Sequence, residues 1–308
     1  MNLSLILSEA YNLKDCIITE QQGGWTSLAY RVENSSGVYF LKVYDKKRKS
    51  TSKWTVLIDS YIPIVIWLNN NFLKNRIIEP LLTYDNTYKY ENLDVICLFF
   101  KYIDGETIGD NPLNNQQIEE LADIISELHS HGDDVPFSKE AITENYELAF
   151  NNELLYFLDT ENENRELKDI VSPFSQKIKD LIERIENLKG LIKHKQIPFV
   201  LCHSDIHNWN LMQTKKNLVF IDWEGLKYAP AESDLYALVN EPYFDKFLSV
   251  YRKKHTDYIP DEDILLFYKY RRKLEDVWEF IELLQTAELK DALKKENLFR
   301  LKNELLSL

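Results

Sequence analysis

Cysteine is scarce in this chain of 308 residues. Its three cysteines, Cys16, Cys97 and Cys202, are far apart and odd in number, which excludes a disulfide framework and any Cys-x-x-Cys metal pair. Cys97 and Cys202 fall in apolar runs and read as inert core residues. An excess of basic charge is also missing: 37 Lys and Arg stand against 50 Asp and Glu, a formal net charge of −13. Binding of phosphate backbones needs a basic face, which argues against nucleic acid as the main partner. The acidic balance suits a small cationic substrate, while the bulk of those charges serves solubility. No window approaches the apolar length of a membrane span, so no membrane partner is expected. Met1 to Glu9 carries no basic leader and meets an acid early, and a cytoplasmic location is expected. Repeats and low-complexity linkers are absent as well. What remains is 44% hydrophobic and 13% aromatic, enough for one large core or two smaller lobes.

Two apolar runs that stop at an acid organise the chain. Val200 to Cys202 leads through His203 and Ser204 to Asp205, and Val219 to Ile221 leads to Asp222. Read as short strands, they deliver Asp205 and Asp222 to one end of a small sheet. Asn210 follows Asp205 on the intervening loop. An Asp, an Asn shortly after it and a second Asp behind a strand can hold one base and one or two hard cations. Mg²⁺ prefers such oxygen donors, together with substrate phosphates. His203 and His207 have the spacing of zinc ligands on a helical turn, but Ser204 stands where a metalloprotease has Glu. Asn208, Trp209 and Asn210 suit a loop better than a helix interior.

Upstream, Ile17–Glu20, Ser27–Glu33 and Val38–Tyr44 read as strands, with turns at Gln21–Gly24 and Asn34–Gly37. Lys42 lies among Tyr39, Phe40, Leu41, Val43 and Tyr44. Such a lysine is either turned outward on a half-exposed sheet or held by a carboxylate. The apolar segment from Trp54 to Leu68 contains one carboxylate, Asp59, and Pro63 is expected to break or start a helix there. Ile77–Leu82 and Leu93–Phe100 are expected to complete the sheet. Gln116–His129 is an amphipathic helix, and residues 141–195 are rich in helix formers. Asp263–Leu284 is a second clear helix, with Leu274, Val277, Trp278, Ile281 and Leu284 as its core stripe. Glu275, Asp276 and Glu279 fall on a different face. They are either i,i+4 partners, Arg271 with Glu275 and Arg272 with Asp276, or an acidic wall for a cationic acceptor.

His203-Ser204-Asp205 with Asn210 resembles the catalytic loop of kinases, and Ile221-Asp222-Trp223 occupies the place of their metal-binding Asp-Phe-Gly. This Trp-rich version is similar to the aminoglycoside phosphotransferase and choline kinase superfamily, and Leu201–His207 looks most like its spectinomycin phosphotransferase branch. The resemblance implies an α+β, two-lobed, protein-kinase-like fold. A small β-rich nucleotide-binding lobe would span residues 1–101, and a larger, mainly helical catalytic and acceptor-binding lobe residues 102–308. It implies Asp205 as the base, Asn210 and Asp222 as Mg²⁺ ligands, and Lys42 on the phosphates of ATP or GTP. Gly23 and Gly24 would cover those phosphates, Lys101–Gly105 would be the hinge, and Asp59 or another acid would orient Lys42. Asp234 resembles the acid that buttresses the catalytic loop, and equally suits a helix amino terminus. His129 is expected to pack or cap. The long helical stretch before His203, and the lack of room for an activation loop after Asp222, point to a small acceptor instead of a protein. The implied activity is phosphoryl transfer to a hydroxyl of an aminoglycoside or aminocyclitol antibiotic, hence antibiotic resistance, with Glu275, Asp276 and Glu279 toward the substrate. Kinases of choline, a sugar or an amino alcohol form the second reading, and a nucleotide-binding scaffold without turnover the third.

Overall fold

The computed structural model describes residues 2–21, 27–48, 50–160, 164–286 and 291–308. In chain order its elements begin with α1 (Leu3–Tyr11), β1 (Ile17–Gln21), β2 (Leu28–Asn34), β3 (Gly37–Asp45), α2 (Thr51–Thr55) and α3 (Ile58–Asn71). Then come β4 (Tyr90–Glu91), β5 (Val95–Lys101), β6 (Gly105–Thr107), α4 (Asn115–Ser130), α5 (Asn151–Asp159), α6 (Arg165–Val171) and α7 (Ser175–Ile192). β7 (Val200–Cys202), β8 (Leu211–Thr214), β9 (Leu218–Phe220), β10 (Lys227–Ala229), α8 (Glu232–Leu235), α9 (Phe244–Tyr251), α10 (Glu262–Thr286) and α11 (Asp291–Ser307) complete the chain. Two compact units result. One comprises Met1–Thr143, Phe199–Asp234 and Asn240–Tyr258, the other Glu144–Pro198, Leu235–Val239 and Ile259–Leu308. No helix among the described residues is long and apolar enough to cross a membrane.

The first unit is built on a five-stranded sheet in the order β1-β2-β3-β5-β4, every pair antiparallel. Side chains alternate between the faces of a strand. Leu41 and Val43 of β3 therefore point one way, into a core with Val32, Val95, Cys97 and Phe99, and α1 covers it with Ile6 and Leu7. Full burial of each such side chain contributes about 1.5–3 kcal/mol. Asn2 caps α1 by accepting the Leu5 N–H at 3.2 Å, and Asn12 ends it in the left-handed region at φ 53°. Lys42 and Tyr44 point the other way. Register places Lys42 between Ala29 of β2 and Leu98 of β5, and it is 6% exposed.

Three local expectations change. α3 runs through Pro63. It opens five residues earlier, so the ring removes a single ladder donor, the one that would meet the Asp59 carbonyl. Ile77–Leu82 is not a strand: it makes isolated bridges, Ile77 to Phe220 and Pro80 to Phe100, because Pro80 has no N–H to continue a ladder. β7 and β9 do not share a sheet. β7 pairs with β10, whereas β9 pairs with β8 in a sheet ordered β6-β8-β9.

In the first unit α4 extends the expected Gln116–His129 by a residue at each end. Its start is a capping box, Asn114 and Gln117 each accepting the other's backbone N–H. In the second unit α10 packs on α7 and α11. Leu274, Val277, Ile281 and Leu284 are buried along it as the sequence periodicity requires, with Trp278 partly buried.

Candidate active site

The loop after β7 is held by a buried acid. Ser204 adopts the left-handed region at φ 64°, a conformation that L side chains resist. Asp234 stabilises it by accepting the backbone N–H of His203 at 3.0 Å and of Ser204 at 2.6 Å. His129 Nε2 stands 3.0 Å from the same carboxylate, and its Nδ1 is 2.8 Å from the Tyr251 hydroxyl. His129 and Asp234 are both fully enclosed. One arrangement satisfies all three: Tyr251 donates to Nδ1, and Nε2–H donates to Asp234. Of the two readings open for Asp234, the geometry is that of the buttress, and His129 packs behind it.

Asp205 follows Ser204. The Asn210 side-chain amide donates to the Asp205 carbonyl at 2.9 Å and to its Oδ2 at 3.0 Å. His203 is buried completely and donates Nε2–H to the Ile221 carbonyl at 2.9 Å. Burial pushes the His203 pKa down against the pull of Asp234 and Asp205. The ring is therefore neutral, and its Nε2 is committed to a backbone carbonyl. The Ile221 N–H returns to the Asn210 carbonyl at 3.0 Å. These loop bonds, not a shared sheet, tie the segment of Asp222 to that of Asp205. Gly225 completes the contact: a Cβ there would stand 2.8 Å from the His203 carbonyl oxygen.

Asp222 itself sits at φ 62°. Its Oδ1 lies 3.0 Å from Lys42 Nζ. Lys42 also donates to Glu224 Oε1, which accepts the Tyr44 hydroxyl as well. The Lys42 and Glu224 side chains are 8% and 9% exposed, and that of Asp222 is 42% exposed. Burial pulls the Lys42 pKa down, but the carboxylates of Asp222 and Glu224 outweigh it and the net shift is upward. Burial first, and Glu224 second, raise the Tyr44 hydroxyl well above its usual value, so it stays a donor. Lys42 is thus held by carboxylates, the second of the two readings open for it. The expectation for Asp59 is corrected. Asp59 lies in the first turn of α3 and pairs with Lys89 at 2.7 Å, while Glu224 supplies the buried acid. Glu224 escaped the sequence reading, which sought that acid on the helix after Lys42. Gly23 and Gly24 lie outside the described residues.

In the second unit both helical pairs on α10 form. Arg271 Nε donates to Glu275 at 3.1 Å and Arg272 Nε to Asp276 at 2.8 Å. Arg271 also reaches the buried Glu144 at 2.9 Å. Burial raises the Asp276 carboxyl to about 7; Arg272 opposes this, and Glu279, Glu304 and Glu275 add to it. Glu279 is partly buried on the same helix.

A carboxylate clasped by an Asn, and a second carboxylate facing a buried lysine, can orient a hydroxyl and hold a hard cation beside phosphates. The sequence matches the model of the phosphotransferase enzyme family over residues 17–267. No curated protein is matched. Among solved structures, the chain resembles spectinomycin phosphotransferase in complex with ADP and spectinomycin, with a TM-score of 0.74 and 20% identity over 99% of this chain and 97% of that one. Amicoumacin kinase in complex with AMP-PNP and Ca²⁺ gives 0.64 and 13% identity over 99% and 92%. Plasmodium vivax ethanolamine kinase gives 0.58 and 16% over 98% and 86%. The shared architecture is the kinase-like fold, with a β-sheet amino-terminal region and a helical carboxy-terminal region.

Proposed function

The chain belongs to the phosphotransferase enzyme family, and from that premise we propose that it moves the γ-phosphoryl group of ATP or GTP to a hydroxyl of a cationic aminocyclitol such as spectinomycin. The observation that carries this reading is the loop itself: Asp205 clasped by Asn210, with Asp222, on the segment joined to it, paired with Lys42 of β3. Asp205 accepts or orients the proton of the acceptor hydroxyl. Lys42, kept charged by its carboxylates, meets the nucleotide phosphates. Asn210 and Asp222 offer the oxygen donors that Mg²⁺ prefers, and would hold it. Bound Mg²⁺ supplies charge neutralisation on the phosphates. The work left to the protein is positioning and electrostatic stabilisation. Residues 1–101 then form the nucleotide-binding part, with Lys101–Gly105 meeting the base. Residues 102–308 form the catalytic and acceptor-binding part.

For the acceptor, the support is the net charge of −13 and the acids of α10. Glu275, Asp276 and Glu279 form a partly exposed group, and an amine placed there gains charge-assisted hydrogen bonds that a neutral sugar does not. The likeness to ethanolamine kinase favours a second reading, a small amino alcohol as acceptor. The deciding experiment offers the purified protein ATP or GTP with spectinomycin, choline, ethanolamine and a neutral sugar, and identifies any phosphorylated product. Spectinomycin phosphate, with KM for spectinomycin raised in Glu275→Gln more at low salt than at high salt, is the expected result. Expression in a susceptible bacterium then raises the inhibitory concentration of spectinomycin. Turnover of ethanolamine or choline alone transfers the conclusion to the second reading, and turnover of none of the four overturns both.

A further inference from the structure

Two nitrogen donors converge on one oxygen of Asp205. From the interior, the Asn210 amide lies 3.0 Å from Oδ2, and Asn210 is 4% exposed. From the open side, His207 Nε2 lies 3.4 Å from the same Oδ2. The side chains of His207 and Asp205 are 39% and 33% exposed, so this contact stands at the mouth of the loop. The other ring nitrogen of His207, Nδ1, is buried and has no hydrogen-bond partner. An imidazole with one nitrogen against a carboxylate and the other enclosed without an acceptor carries its proton on the first. His207 thus turns Nε2, the nitrogen free to carry the proton, toward Asp205.

The backbone links the two donors. His207 is extended at φ −157°, ψ 162°, and its carbonyl accepts the Asn210 N–H at 2.9 Å. One short turn therefore carries both donors beside the carboxylate. A carboxylate held from two sides cannot turn about its Cβ–Cγ bond without losing both contacts. The 3.4 Å separation is long for a hydrogen bond, and contacts of this kind tighten when a substrate closes the site.

Resting on the phosphotransfer reading above, we propose that His207 is a positioning residue for the base: its Nε2–H, with the Asn210 amide, locks the Asp205 carboxylate in the orientation that meets the acceptor hydroxyl. It touches neither nucleotide nor acceptor in this role. No bond to His207 forms or breaks.

The geometry gives a test by isosteres. Gln can place its amide nitrogen near the position of Nε2, whereas Asn reaches no farther than Nδ1. Leu fills the space with no donor. Each variant and the wild type are assayed for phosphoryl transfer from ATP to spectinomycin, to ethanolamine and to water, with nucleotide Kd measured separately. The expected result is a loss of about 10–100-fold in kcat for His207→Leu and His207→Asn, and a return to within about fivefold of wild type for His207→Gln. KM and Kd for ATP should change less than about threefold. Equal kcat in Leu, Gln and wild type overturns the inference, as does a loss shared equally by Gln and Leu. A change confined to KM of one acceptor overturns it too, because His207 would then be an acceptor contact. A wild type that releases no phosphate to any of the three acceptors overturns the phosphotransfer reading itself, a different outcome from a variant that behaves as an active wild type.

Discussion

Replacing Glu224 by Gln removes one of the two carboxylates that hold Lys42 and leaves its hydrogen-bonding shape nearly intact. Lys42 and Glu224 are almost enclosed, while Asp222 is close to half exposed. The lost contact is therefore the drier of the two. Losing a partner from a buried ion pair costs about 3–5 kcal/mol when the remaining charge is left alone. Lys42 keeps Asp222, and Gln keeps an acceptor for Tyr44, so about 2 kcal/mol is expected, the scale of one charge-assisted hydrogen bond. For a chain of this size that corresponds to a Tm lowered by roughly 3 °C. The lysine also loses its fixed direction, so nucleotide KM should rise about tenfold, which is about 1.4 kcal/mol. Asp59→Asn is the matched control. Its pair with Lys89 is exposed and worth about 0.5 kcal/mol, so Tm and KM should stay near wild type. Melting curves and steady-state kinetics at saturating acceptor measure both. A larger rise in nucleotide KM for Asp59→Asn than for Glu224→Gln would refute the assignment of the orienting acid.

Other consequences follow from single residues. Asp276 has its folded-state carboxyl raised to about 7 from 3.8. The folded state then keeps a proton that the unfolded chain has lost, so stability falls as pH rises from about 4 to about 7 and is flat above. The full shift would amount to about 4 kcal/mol, and screening at a side chain 27% exposed reduces it to about 1–2 kcal/mol. Asp276→Asn should gain Tm over wild type at pH 8 but not at pH 4, and a difference independent of pH contradicts the cause assigned. Asp234→Asn places an amide against the His203 and Ser204 N–H donors and should cost about 2–4 kcal/mol with a matching loss of kcat. An unchanged melting curve would show that the turn at Ser204 does not depend on the carboxylate.

How far the site could be read in advance differs from residue to residue. Asp205 and Asp222 stood out because each closes a short apolar run, and Asn210 by its spacing after Asp205, a pattern that survives without knowledge of packing. Lys42 was visible, but its surroundings were not. Leu41 to Tyr44 are buried without a break, so alternation alone cannot tell which face carries the charge. Glu224 was missed because its role depends on where the turn after Asp222 meets β3, a contact across 182 positions of sequence. A local signal was present: Glu224 precedes Gly225, the glycine that the close approach to His203 requires. Asp234 stayed ambiguous because one carboxylate at a helix start serves either role, and its buried partner His129 comes from α4, backed by Tyr251 of α9. The α10 pairs were legible because i,i+4 contacts are local. The bond from Arg271 to Glu144 was not, since it spans 127 positions. The sheet failed at Pro80, where apolar content imitated a strand that the missing N–H prevents.

Asp205 is the proposed base of phosphoryl transfer. Asp205→Asn keeps the side-chain shape and removes the base. Transfer of the γ-phosphoryl group from ATP, measured alongside nucleotide Kd on the same preparation, is the direct measurement. The expected result is a fall in kcat of about 10²-fold or more with Kd for ATP within about threefold of wild type; turnover near that of the wild type would contradict the role of Asp205 and the account built on it.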